Sequence, residues 1–280
     1  MPVENLVDAL KIEKTGDLRY RAQNHEMGER GVVFGGQLIA QLIVAGSLAD
    51  PTKSVKSAHA LFFRPVMVAE DVEIRLDILQ AGRTFASVTA AIWQAGKERA
   101  RAMVLLGADE PDLIRHSLPM PDVAGPDGLD PWLGNDDTRI VGDIDILDAD
   151  AVGDPLVRAW IKRPAATDDL AVGQGLLAHA SASLLIGASM RPHPGVDQSA
   201  AHASFSTGII GHTISFHEPF DLRNWHLMSQ ESDYAGRGRA FGTGDVFERQ
   251  GQLVASFSQE SMVRHFPGGQ SPAGQESTVL

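Results

Sequence analysis

Cysteine is absent from the 280 residues, which excludes disulfides, thiolate metal sites and a cysteine nucleophile. Positive charge is scarce. Twenty-four Lys and Arg against 36 Asp and Glu leave a formal net charge of −12, so no nucleic-acid partner is expected, because such affinity comes from neutralising phosphates. No apolar run approaches the roughly 18 to 20 residues that span a bilayer, since Gln37, Gln41 and Ser47 interrupt the best candidate. No membrane insertion is therefore expected. The opening MPVENLVDALKIEK has no basic segment followed by an apolar one, which reads as no secretory signal and a cytoplasmic location. G-x-S-x-G, H-E-x-x-H, P-loop and G-x-G-x-x-G patterns are all missing, so the expectation carries no metal and no cofactor.

What is present is a repeat. AHALFFRP at 58–65 is followed by AGR at 81–83 and a turn around Gly96; GHTISFHEP at 211–219 is followed by AGR at 235–237 and a turn around Gly251. On the shared H-x-x-x-F spacing, His59 and Phe63 match His212 and Phe216. GGQLIAQ from Gly35 parallels VGQGLLAH from Val172, which places an apolar segment before the strands in each half. Self-similarity of this kind indicates a duplicated unit.

Residues 18–24 alternate as a strand does, and Leu38, Ile39, Leu42, Ile43 and Leu48 then fall near helical spacing in a segment apolar on most sides, which predicts a buried helix. Four strand-like runs fill 55–107, joined by turns short enough to require antiparallel pairing. The second half repeats the order, with Thr167 or Asp168 as the expected N-cap of its helix. The expected class is α+β: a helix packed on an antiparallel sheet, twice, fused so that one chain imitates a symmetric dimer. Boundaries follow composition: a first unit at 1–117, a Pro-, Gly- and Asp-rich linker at 118–135, a second unit at 136–266 and a disordered tail at 267–280.

VFGGQLIAQ, HALFFRP, GRTFASVTAAIWQAG, ISFHEPF and GQLVASFSQES, in this order from about Leu18 to Arg264, resemble the acyl-CoA thioesterase II family. The resemblance implies a double hotdog fold, acyl-CoA as substrate and hydrolysis to a fatty acid and coenzyme A, in a homo-oligomer. It also implies a water held by a helix carboxylate, a strand hydroxyl and a glutamine. The glutamine falls on Gln259, but the carboxylate position falls on Ala182, the hydroxyl position on Ile209, and the aspartate before the histidine is Gly211.

Three readings stay open. Thr207, two residues before Ile209, can supply the hydroxyl from the same strand face. His179, one turn before Ala182, can serve as base, in which case the rate falls below roughly pH 6.5. Alternatively the fold binds acyl-CoA and hydrolyses it slowly or not at all. Gly35, Gly36 and Gln37 are candidates to present N–H groups to the thioester carbonyl. Arg64 is a candidate for the nucleotide or phosphate end of coenzyme A, and His59 for substrate, although duplication favours a structural part for both His59 and His212.

Overall fold

The computed structural model describes residues 3–25, 31–142, 144–201 and 203–266; the expected tail at 267–280 lies outside them. Each half lays down its elements in the same order. The first contributes α1 (Val3–Ala9), β1 (Glu13–Gly16), β2 (Arg19–Ala22), α2 (Gly35–Ser47), β3 (Ser54–Phe62), β4 (Val72–Ala81), β5 (Phe85–Gln94) and β6 (Lys97–Gly107). The second contributes β7 (Thr138–Ile140), β8 (Leu156–Ile161), α3 (Leu170–Ser181), α4 (Leu185–Met190), β9 (Phe205–Phe216), β10 (His226–Gly236), β11 (Arg239–Glu248) and β12 (Leu253–His265). All twelve strands form one sheet in the order β1-β2-β4-β5-β6-β3-β9-β12-β11-β10-β8-β7. The second half of that order mirrors the first, which is the double hotdog expected from the sequence.

The halves join where β3 pairs antiparallel with β9, from Ser57↔Ser215 to Leu61↔Gly211. Matching strands start or stop at matching points: β3 ends at Phe62 and β9 at Phe216, β4 begins at Val72 and β10 at His226, β5 at Phe85 and β11 at Arg239. This register corrects the repeat alignment by one residue. Phe62, not Phe63, is the counterpart of Phe216; Thr213 is that of His59, and Ala58 that of His212. Because successive strand residues point to opposite faces, a one-residue slip exchanges inside for outside. His59 is accordingly exposed on the outer face and touches Thr213, Nδ1 to Oγ1 at 2.5 Å, while His212 is 1% exposed on the inner face. His59 pairs with its own counterpart, so the pseudo-twofold axis passes through that pair.

Helix α2 is buried continuously from Gly36 to Gly46, as an element apolar on all sides must be. It packs on β3 to β6 and along α3, while α4 packs on β8, β10, β11 and β12. Two glycines let α2 and α3 approach. A Cβ on Gly36 would lie 3.0 Å from the His179 carbonyl oxygen, and one on Gly175 would lie 3.2 Å from the Ala40 carbonyl oxygen. These close approaches are images of one another, so Gly36 corresponds to Gly175 and Ala40 to His179. Gln174 Nε2 donates to the Val55 carbonyl at 2.8 Å, tying α3 to the sheet of the other half. The segment Leu170–Met190 is apolar enough by length and composition to cross a membrane, yet 67% of its most apolar window is buried inside this fold.

The stretch expected as a linker does not hang free. Met120, Val123 and Leu129 pack on Trp160, Leu227 and Phe247 on the outer face of the second half. Trp160 Nε1 donates to the Ala124 carbonyl at 2.8 Å, and Arg249 pairs with Asp127.

Gly175→Val should destabilise the protein by about 2 kcal/mol or more, the cost of overpacking a close helix contact. Urea denaturation checks this; an unchanged midpoint would show that the helices do not depend on that approach.

Candidate active site

The two long helices begin differently. Asp169, not Thr167 or Asp168, caps α3: its carboxylate accepts from the N–H groups of Ala171 and Val172 at 2.9 and 3.4 Å. Thr167 accepts the N–H of Asp169, and Asp168 pairs with Arg223. Helix α2 starts on Phe34, which offers no side-chain cap. The N–H groups of Gly35 and Gly36 have no acceptor among the described residues. A helix start carries partial positive charge and free donors. In α3 a carboxylate occupies them; in α2 they remain available.

Opposite this free start lies the end of α3, for the two helices run past one another. A cavity of about 920 Å³ opens between them. It is lined by Phe34 and Gly35 from α2, by His179, Ala182 and Ser183 around the end of α3, by Arg163 just beyond β8, and by residues 207–210 of β9. Leu6, Val33, Leu38, Ile161, Met228 and Met262 supply apolar wall. At the β9 edge the register shifts: Glu260 pairs with Gly211 but Ser261 with Ile209, leaving Ile210 as a bulge. A bulge re-aims the residues beside it, and these are the ones that line the cavity. Thr207 and Ile209 pair with Val263 and Ser261, so they share the inner face.

His179 projects from the last turn of α3 into this space. Its ring stands edge-on to Phe34, centroids 5.3 Å apart, and both ring nitrogens are shielded from bulk water without a hydrogen-bond partner. Burial pushes the imidazole down to about 3, and the nearby Arg163 charge adds to the effect. The ring is therefore neutral at pH 7, with one N–H to donate and one lone pair to accept. An unsatisfied pair of buried polar atoms costs stability. A ligand or water bridging them recovers it.

Beneath the cavity lies a second polar set. The His212 ring contacts Ser181 Oγ through Nε2 at 2.9 Å and Gln259 Oε1 through Nδ1 at 3.1 Å, and stacks on Phe257. Gln259 Nε2 donates onward to Ser261 Oγ at 3.0 Å. Gln259 Oε1 can only accept, so Nδ1 carries the proton, and the one Ser181 hydroxyl proton is shared between His212 Nε2 and the Ala178 carbonyl oxygen at 3.0 Å. Burial pushes His212 down to about 4 against the opposing hydrogen bond with Gln259, which keeps this chain uncharged.

The expected site residues separate into two groups. Gly35, Arg64, Thr207 and His179 line the cavity with Ala182 and Ile209, and Gly36 packs on the His179 carbonyl, where a Cβ would also strike the Phe34 ring. Gln37, His59 and Gln259 do not line it. Gln37 is 1% exposed and turned toward the strand end, accepting the His25 N–H and donating to Asn24, both at 3.3 Å. His59 is on the far face of the sheet, placed there by the register. Gln259 has both amide groups engaged below the cavity floor. Arg64 is exposed, and its Nη1 donates to the Glu98 carbonyl at 3.0 Å. The residue that sequence reasoning missed is Arg163. Its signal was a cation directly after the apolar run of β8, where the chain has no exposed face to offer.

A family model for acyl-CoA thioesterase matches residues 137–262, and one for the acyl-CoA thioesterase N-terminal domain matches residues 24–107. Acyl-CoA thioesterase 2 of Haemophilus influenzae is 30% identical over 285 residues, covering 94% of this chain and 98% of that protein. Rat acyl-coenzyme A thioesterase 8 is 23% identical, covering 94% and 89%. Among solved structures, acyl-CoA thioesterase II TesB2 of Mycobacterium marinum superposes with a TM-score of 0.80 at 24% identity, covering 94% of this chain and 99% of that one. The TesB protein of Mycobacterium avium subspecies paratuberculosis gives 0.80 at 22%, covering 93% and 99%.

The two buried imidazoles set an acid limit on stability. Their folded-state values, about 3 and about 4, lie below the ordinary 6.5. The unfolded chain thus binds more protons as pH falls from 6.5 toward those values, and stability is lost across that window. Each group costs the folded state on the order of 3 kcal/mol at pH 4 relative to pH 7. His179→Phe, which removes two unpartnered nitrogens and keeps the ring volume, should raise stability at pH 7 by ~1–3 kcal/mol and flatten the acid slope. Thermal melts from pH 7 to pH 4 test both; an unaltered slope in the variant would show that His179 is not held neutral.

Proposed function

The chain belongs to the acyl-CoA thioesterase II family and is a thioester hydrolase, and we propose that it cleaves fatty acyl-CoA at the meeting of the α2 start and the α3 end. The observation that carries this reading is that Gly35, whose N–H group has no acceptor among the described residues, and the ring of His179, whose nitrogens have no partner among them, line one cavity, with the Gly36 N–H next in the same helix start. The thioester carbonyl oxygen is placed against the two N–H groups. Water adds to the carbonyl carbon, a carbon–oxygen bond forms, and the carbonyl π pair moves onto oxygen, where those donors hold it. The water proton passes to the acceptor nitrogen of His179. When the intermediate collapses, the carbon–sulfur bond breaks and the thiolate leaves, later taking a proton to give free coenzyme A. A thiol near pKa 8.5 is a good leaving group, so little acid help is needed at sulfur.

With Ala182 and Ile209 at two of the family positions, the water contacts shift to His179 and the Thr207 hydroxyl. Gln259 keeps His212 and Ser181 in place under the α3 end and acts through them, without touching the water. The apolar wall of Leu38, Ile161, Met228 and Met262 receives the acyl chain, and the exposed Arg64 meets the coenzyme end. The chain-length preference follows from how far that wall extends.

His179→Phe is expected to lower kcat for acyl-CoA hydrolysis by about 10²- to 10⁴-fold, the usual worth of a positioned acid–base group, with a smaller change in KM. Because the ring titrates at about 3, the wild-type rate should show no limb near pH 6.5, where an exposed imidazole would place it. Release of free coenzyme A followed with a thiol reagent measures both. A fully active His179→Phe protein removes His179 from the chemistry. A wild-type rate halved near pH 6.5 that His179→Phe abolishes shows instead that the ring is not held neutral down to about 3, and no release with any chain length removes the hydrolysis itself.

A further inference from the structure

Arg163 is 9% exposed and lines the same cavity as His179. A guanidinium has five N–H donors and stays a cation at neutral pH even where burial lowers its pKa, as it does here. Among the described residues only Nη1 is engaged, with the carbonyls of Lys162 at 2.7 Å and Asp137 at 3.4 Å. No carboxylate pairs with Arg163 among the described residues: Asp137, the nearest acidic group acting on it, lies beside Lys162 at 3.9 Å. Burying a cation without a counterion costs several kcal/mol. Asp137 lines the same cavity and its charge acts on Arg163, but its carboxylate lies beside Lys162; set against Leu38, Ile161 and Met228, the guanidinium fits a substrate that brings a counterion of its own.

We propose that Arg163 receives a carboxylate carried by the acyl group, so that the preferred substrates are coenzyme A thioesters of dicarboxylic acids. The proposal rests on the thioesterase reading above and specifies its substrate class. Planar, bidentate pairing with a carboxylate is the geometry a guanidinium fork favours, and Met228, Ile161 and Leu38 line the same space for the methylene chain. The same pairing bears on the reaction. The Arg163 charge holds the His179 imidazole down; a carboxylate on the guanidinium neutralises that charge and makes the ring a better proton acceptor at the moment substrate is bound.

The test compares glutaryl-, adipoyl- and suberoyl-CoA with pentanoyl-, hexanoyl- and octanoyl-CoA of equal carbon number. We expect kcat/KM at least about tenfold higher for the carboxylate member of one or more pairs, the worth of one well-formed charge-assisted contact. Arg163→Gln should lower that ratio about tenfold, with Arg163→Lys between. Equal rates within every pair overturn the assignment. Should Arg163→Gln fail to fold by circular dichroism, inhibition of the wild-type protein decides: adipate must compete with hexanoyl-CoA better than hexanoate does. Thermal shifts with nonhydrolysable thioether analogues of adipoyl- and hexanoyl-CoA separate binding from turnover, since a larger shift with the adipoyl analogue supports the assignment even where no hydrolysis is seen. Coenzyme A alone is the last arm. If Arg163→Gln weakens its binding as much as that of the adipoyl analogue, the anion is a coenzyme phosphate and the acyl-carboxylate assignment falls.

Discussion

The antiparallel pairing of β3 with β9 is the constraint on which the molecule depends. It merges two hotdog sheets into one, sets the axis that relates them, and forces α2 and α3 to run past each other so that the start of each faces the end of the other. The strand period of two gives this pairing its authority. With His59 opposite Thr213 and His212 opposite Ala60, one imidazole is consigned to solvent and the other to the interior. The helices obey the same axis, with glycine admitting the neighbouring carbonyl at both crossings.

A twofold arrangement built this way provides two equivalent corners, and the sequence disarms one of them. At the α3 start, Asp169 fills the positive end with its own carboxylate; at the α2 start, no described side chain does. Where His179 stands in one corner, its counterpart Ala40 is fully buried in the core, and where His212 stands, its counterpart is Ala58. His179 and His212 thus both stand at a single corner. Cavity, free donors and unpartnered ring coincide there, while the other corner contributes packing. Duplication supplied the scaffold, and divergence at a handful of positions made one site from two.

Most of the fold was legible because it rests on periodicity. Apolar spacing marked α2, alternation and short turns marked the strands, and the AGR turns located the β4–β5 and β10–β11 hairpins. What escaped notice depended on registers of a single residue or on contacts between distant segments. Two H-x-x-x-F strings invite alignment on their histidines, yet the pairing of β6 and β12 with their neighbours displaces one against the other. The Pro-rich stretch at 118–135 reads as a linker by composition, whereas Trp160, Leu227 and Phe247 leave an apolar outer surface that this stretch covers. At the site, Gly35, Thr207 and His179 were identifiable as types of residue near a helix end or strand start. Gln259 is reached by resemblance to the family and Gln37 as an N–H donor at a helix start, and neither route reveals that the Gln259 amide is held by His212 and Ser261 or that the Gln37 N–H is spent on the Phe34 carbonyl.

Ala182 at the end of α3 and Arg163 line one cavity and together set its charge balance. A carboxylate at the end of α3 would sit at the negative end of that helix and in reach of a low-dielectric cavity, where its charge is expensive unless paired. Ala182 carries no such charge there, Asp137 at the cavity wall lies beside Lys162, and the buried Arg163 leaves a cation to face negative charge on the ligand. Thioester hydrolysis develops negative charge on the carbonyl oxygen and then on sulfur, and ends with a carboxylate. Free N–H groups, a neutral imidazole and a guanidinium all lower the energy of those species, whereas a fixed carboxylate raises it. On the proposed mechanism, base strength at the water is exchanged for stabilisation of the charge that the reaction creates, which suits a substrate whose leaving group needs little assistance.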